Sequence, residues 1–460
     1  MPGVPSASDV AIGTRRSFVF TGPGAATVPP TWVMRRMQTR GPAHRWPLFP
    51  VLCAVLVALL PAGSAAGVPR VPAVFAAGAI AAPTAADLAI RLEALLGEHS
   101  VLAADLMRSR IRGDDDFVQA ANAALGKNTD AMTALIGQLF GKSTADQFGP
   151  MWSQHIVQLY AYAGALADHD DAARAAARGE LTEYEKDLGS FFAGASHGRL
   201  SVAAADAAIV MHVGHLTTQA DAYAANDYAT ADQIYREGYQ HTYDLGLTLA
   251  GALLPAADRA TLSAPIWRLR SQLGKLLAEH AALVEDLTRA AVTNAPDFDA
   301  SGQMINGNTA DLAAAMDTLF GATTARQFQA LWASHVEQLV AYAGATAAKD
   351  GGRQAQARGK LADIENRLAA LLATATGKRV SSPTLVAALQ GHDQMLLRHA
   401  DAYAAKDYAT AYDISYQTYD QMFDLAQQLA DAFGATVAAR LPRGGAQTGY
   451  GGMAGVVGRR

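Results

Sequence analysis

Between residues 84 and 435 apolar positions recur every three to four residues, and no alternating stretch of strand type is found among them. Leu88, Leu92, Leu95, Leu96, His99, Leu102 and Leu106 mark one face of a first predicted helix, which Gly113 and the acidic run 114–116 end. A second runs through Leu135 and Leu139 to Gly141, with Asn128-Thr129 read as an interruption or cap. Ser143-Thr144 is read as the N-cap of a third, with Phe148, Trp152, His155, Ile156 and Leu159 on one side. A fourth, charged and outer, covers 171–194 and turns Tyr184, Leu188 and Phe191 inward. The fifth begins near Ser201 and ends at a corner, after which Asp227 caps the sixth. A short carboxylate there satisfies first-turn amides and suits the positive end of the helix dipole.

That corner occurs twice. Residues 220–231 read ADAYAANDYATA and residues 400–411 read ADAYAAKDYATA, so only Asn226 and Lys406 differ across an offset of 180 residues. The same offset carries Trp152 onto Trp332, His155 onto His335, Asn128 onto Asn308 and Tyr239 onto Tyr419, and a one-residue shift carries Glu98-His99 onto Glu279-His280. Helices of this length joined by short loops predict an all-α fold. The expected architecture is two tandem up-and-down bundles of five to six helices each, related by internal duplication, over 84–252 and 266–435. Residues 253–265, LLPAADRATLSAP, form a linker too short for a flexible tether, so the bundles are expected to touch.

The flanks read differently. Residues 47–61, PLFPVLCAVLVALLP, form a short apolar run behind Arg35, Arg36, Arg40 and Arg45, with AGSAAG following. A basic stretch, a short apolar run and small residues at the end predict a secretory signal peptide over 1–66, with translation beginning at Met34 or Met37 as one option. Pro50 and Pro61 make the run too short and interrupted for a membrane span, so no stable transmembrane segment is expected in the mature chain. Residues 67–83 read as a flexible lead-in and 436–460 as a Gly-rich flexible tail. The expected location is secreted, extracellular or in the cell envelope.

Composition narrows the chemistry. Half of the 460 residues are hydrophobic, enough for two cores, and a net charge of −5 gives no basic footprint for nucleic acid. The single cysteine, Cys53, lies in the targeting run, which removes disulfides, thiolate metal sites and a cysteine nucleophile from the mature chain. No Gly-rich phosphate loop, GxSxG elbow, HExxH or paired-carboxylate signature is present, and nothing argues for an enzyme.

The histidines are the candidate site. His99 with His280, His155 with His335, and His212 with His392 recur in pairs on the apolar stripes of their helices. His241 holds the same kind of position on the sixth helix, but its counterpart is Gln421. The first repeat therefore offers four inward imidazoles and the second three. Side chains projected by facing helices build metal sites in bundle interiors, and neutral imidazole suits Zn, Cu or Fe. Glu98, Glu279, Asp105 and Asp286 are carboxylates within reach by sequence. The competing expectation is a structural or protein-interaction scaffold, with an envelope protein as partner, whose histidines meet core partners such as Tyr162, Tyr223, Tyr239, Tyr342, Tyr403 and Tyr419.

The patterns LLGEHSVLAADLM, NTDAMTALIGQLFG, MWSQHIVQLYAYAGA, MHVGHL and DYATADQIYREGYQHTYDL resemble a helical repeat region of secreted bacterial copper amine oxidase N-terminal domain-containing proteins. The resemblance covers roughly 87–250 and 268–434. The oxidase-like domain itself is absent, so what the resemblance implies is export and a helical fold, not oxidase activity.

Overall fold

A computed structural model describes residues 84–440, with side chains described to residue 436. The expected signal peptide, the lead-in and the tail beyond 440 lie outside the described residues. The described residues are all-α: thirteen α-helices and one short 3-10 turn. In the first repeat these are α1 (Ala85–Arg112), α2 (Asp115–Phe140), α3 (Lys142–Asp168), α4 (Asp171–Ala195), α5 (Val202–Ala224) and α6 (Tyr228–Leu253). The expected linker holds α7 (Ala256–Arg259) and the 3-10 turn Ala260–Ser263. The second repeat contributes α8 (Pro265–Thr293), α9 (Phe298–Phe320), α10 (Ala322–Ala347), α11 (Gly351–Ala375), α12 (Ser382–Ala404) and α13 (Tyr408–Arg440), the last running past the expected boundary at 436.

Local chemistry sets most of the ends. Asp227 accepts from the Thr230 amide and Asp407 from the Thr410 amide, both at 3.2 Å, so the duplicated corner is capped alike in both copies. Ser201 caps α5 through the Ala204 amide at 3.2 Å. Gly113 closes α1 with φ 74°, a left-handed conformation that glycine takes without steric cost. Ser143-Thr144, however, is not a cap: α3 already begins at Lys142, and the Thr144 hydroxyl donates backward to the Phe140 carbonyl at 3.1 Å. Asn128 does not interrupt α2 either. It sits buried in mid-helix, where tertiary bonds outweigh its poor helix propensity.

Within each bundle the helices form a triangle inside a triangle. α1, α3 and α5 pack on one another; α2 lies against α1 and α3, α4 against α3 and α5, and α6 against α5 and α1. The second bundle repeats the scheme with α8, α10 and α12 inside and α9, α11 and α13 outside. Trp152, Phe148 and Phe192, all fully buried, anchor the first core, each contributing on the order of 2–3 kcal/mol by area.

The bundles meet along one seam. α6 touches α9, α13 touches α2, and α1 touches α8, so exchanging the repeats maps the contacts onto themselves, as in a two-fold dimer. α1 also buries polar groups, including Glu93, Arg108 and Ser109. Arg108 pairs with Asp232 at 2.9 Å, and the equivalent Arg289 pairs with Asp286 at 2.9 Å and Asp297 at 2.7 Å.

Candidate metal centres

Each inner helix presents one histidine at the level where the three converge. His99 of α1, His155 of α3 and His212 of α5 meet in the first bundle, and His280 of α8, His335 of α10 and His392 of α12 in the second. All six are at most 2% exposed. In each set the donor atoms lie within 4.8 Å of one another. Ring centroids in the first set are 4.9, 5.5 and 6.3 Å apart, and in the second 5.5, 5.7 and 5.8 Å. Trp152 and Trp332 stand 4.6 and 4.7 Å from His99 and His280, so each tryptophan roofs its triad.

Hydrogen bonds assign the tautomers. His155 Nδ1 donates to the Trp152 carbonyl, which leaves Nε2 as the lone pair; that nitrogen faces His99 Nε2 at 3.0 Å, and His99 is then the donor between them. In the second bundle His335 Nε2 donates to Asp393 Oδ1 at 2.6 Å, while Trp332 Nε1 donates to His280 Nδ1 at 3.1 Å. His99 Nδ1, His212 Nε2, His280 Nε2, His335 Nδ1 and both nitrogens of His392 meet no protein partner. Buried polar atoms without partners are costly, and so many together in two equivalent places call for a common explanation.

The protonation state suits ligation. Burial, reinforced by neighbouring imidazoles, holds His99, His212 and His280 well below the usual histidine range. Burial takes His155 down to about 3 and His392 to about 4. These rings are neutral near pH 7, the form that binds a metal without first losing a proton.

A carboxamide and a carboxylate back each centre. Asn128 Nδ2 donates to the Leu95 carbonyl at 3.0 Å and to Glu98 Oε2 at 2.8 Å; Asn308 repeats this with Leu276 and Glu279 at 3.0 and 2.8 Å. Across the seam Arg236 of the first bundle grips Glu279 at 2.9 and 3.0 Å. Tyr416 fills the equivalent place beside Glu98, whose carboxyl burial pushes up to about 8.

The structure sorts the seven candidate histidines. Six form the two triads, and His241 does not join the first. It lies on an outer helix, half-buried, with Nε2 2.9 Å from the Ala208 carbonyl and its ring beside His215 at 5.5 Å. The expected four-histidine centre is therefore a three-histidine one. Asp105 and Asp286 line a cavity of about 50 Å³ on the seam, away from the triads. Five of the six tyrosines offered as histidine partners bond elsewhere: Tyr162 to Asp221, Tyr342 to Asp401, Tyr223 to Asp297, and Tyr239 to Tyr419; the Tyr403 ring lies 6.2 Å from that of His399, outside both triads. Asp393 and the structural use of Asn128 and Asn308 escape the sequence reading. The cue for Asp393 was its place beside His392 where the first repeat has valine.

Three imidazoles fit a transition metal of the zinc type. Metal–nitrogen bonds of about 2.0–2.1 Å in tetrahedral geometry place donors about 3.4 Å apart, a modest closure from the observed spread, and three ligands leave a fourth position open. No protein family, curated protein or solved structure matches the chain.

Proposed function

We propose that the chain is an exported binding protein of the cell envelope or exterior that holds one transition-metal ion in each bundle. His99, His155 and His212 hold the first ion, and His280, His335 and His392 the second. The observation that carries this reading is the recurrence of the triad: three buried histidines from three inner helices, donors within 4.8 Å, in both repeats. The neutral rings of His99, His155, His212, His280 and His392 and the unpartnered nitrogens support it. Zn, Cu and Fe are the ions this donor set suits.

Elemental analysis of the purified chain, with zinc and copper titrations, tests it. Two equivalents are expected, one removed by replacing the first triad with alanine and the other by replacing the second, with His241→Ala removing neither. Unchanged stoichiometry in the six-histidine variant contradicts the assignment. Export is tested by N-terminal sequencing of the protein recovered from its native host, where a terminus near residue 67 is expected and a peptide from residues 1–33 contradicts it.

One observation favours a second reading, a metal-free scaffold: the His155–His99 bond at 3.0 Å already satisfies one pair of nitrogens within the protein. That reading predicts no bound metal, and a loss of stability on His155→Ala that added metal leaves unchanged.

A further inference from the structure

Equivalent histidines in the two centres have unlike surroundings. Position 393 is aspartate, 2% exposed, and its counterpart is Val213, 0% exposed. The Asp393 carboxylate accepts a hydrogen bond from His335 Nε2 at 2.6 Å, and His335 Nδ1 meets no protein partner. Asp393 also follows His392 directly on α12 and acts on that ring through space. Glu365, 6% exposed, lies against Asp393, whereas its counterpart Glu185 is drawn off by Arg178 at 2.6 Å. Around the first centre the ionisable groups acting on the three rings are other imidazoles, and His155 is oriented by a hydrogen bond it donates to a neutral carbonyl.

The difference matters for charge. A cation taken into a dry core loses its hydration, and without an opposite charge nearby the cost runs to several kcal/mol. A carboxylate that accepts from the far nitrogen of a ligating histidine supplies that charge, fixes the ring and makes its lone pair more basic; removing such a partner typically weakens metal affinity about 10–100-fold. The second centre has this device and the first lacks it.

We infer that the second centre is a divalent-cation site that fills before the first, and that Asp393 is the positioning residue that sets this order. The inference rests on the metal-binding reading of both triads. It deepens that reading by giving the centres different affinities and the tighter one a charge class.

Cobalt(II) added to the full chain tests it, because Trp332 and Trp152 report the two centres separately by quenching. Trp152→Phe leaves Trp332 as the one tryptophan packed on a triad histidine, and Trp332→Phe leaves Trp152 as that one, the remaining tryptophans giving a background common to both. The first equivalent of cobalt is expected to quench the Trp152→Phe protein and to spare the Trp332→Phe protein. In calorimetric titration of the otherwise unchanged chain, two classes of site are expected, and the near-isosteric Asp393→Asn should weaken the tighter class about 10–100-fold and leave the looser one in place. Quenching of Trp152 first, equal affinities, or a tight class untouched by Asp393→Asn overturns the order while two bound ions still uphold the reading beneath it. Absence of cobalt from both triads overturns both.

Discussion

Tyr239 and Tyr419 are equivalent residues of the two repeats, and their hydroxyls lie 3.0 Å apart across the seam. Tyr243 joins them at 3.2 and 3.4 Å. The cluster fits because Gly97 leaves room: a Cβ there would come within 2.6 Å of both Tyr243 and Tyr419, whereas the equivalent position 278 carries alanine. Gly97→Ala should therefore destabilise the chain by about 1–3 kcal/mol, the usual cost of overpacking a filled interior. Denaturant unfolding checks this. A neutral or stabilising result would mean that the seam opens freely at this point.

Asn128 and Asn308 each hold a carboxylate and a carbonyl at the back of a triad. Replacing Asn128 by Leu removes a donor from two buried acceptors, a loss of about 1–3 kcal/mol in urea unfolding. A cost below a few tenths of a kcal/mol would show that these bonds contribute little.

Stability should pass through a maximum on the acid side of neutrality. The depressed triad histidines bind fewer protons folded than unfolded. From their unfolded value of 6.5 downward, each withdraws up to about 1.4 kcal/mol per pH unit as pH falls, ending near 3 for His155 and 4 for His392. Glu93, Glu98 and Glu285 are raised to about 8 by burial, so they bind more protons folded than unfolded. Their contribution is present below 4.5 and is lost as pH rises toward 8. The melting temperature of the metal-free protein should peak between pH 4.5 and 6.5 and fall on both sides. A curve that climbs from pH 6.5 to 8 contradicts this.

The one difference within the duplicated corner falls on a left-handed residue. Asn226 has φ 63° and Lys406 has φ 60°. Asparagine tolerates that conformation better than lysine, and glycine better still. Lys406→Gly should raise stability by up to about 1 kcal/mol in thermal or urea unfolding. A loss of stability would show that the lysine side chain contributes something its exposed position does not suggest.

Much of the helical layout is written locally. Leucines on one face of α1, carboxylates before α6 and α13, and Gly113 at the end of α1 act through neighbours a turn away, so the sequence displays them. What it cannot display is which helices lie inside. His241 lies on an apolar stripe as convincing as that of His155, yet α6 is an outer helix and α3 an inner one, and that choice depends on contacts between helices far apart in sequence. Asn128 misled for the same reason: a local rule reads it as a break, while its partners Leu95 and Glu98 belong to another helix. Asp393 acts on His335 of α10, 58 residues away, a pairing no local rule connects.

The most direct measurement is the melting temperature of the full chain with excess zinc and with chelator, compared with His155→Ala/His335→Ala. Metal held by the native triads should raise the melting temperature, by about 2.7 kcal/mol of stability per site when free metal stands 100-fold above Kd. The double variant should lose that rise while remaining folded in chelator. A melting temperature indifferent to zinc, copper and iron, with the variant destabilised equally in metal and chelator, would contradict the account and leave the histidines as core residues.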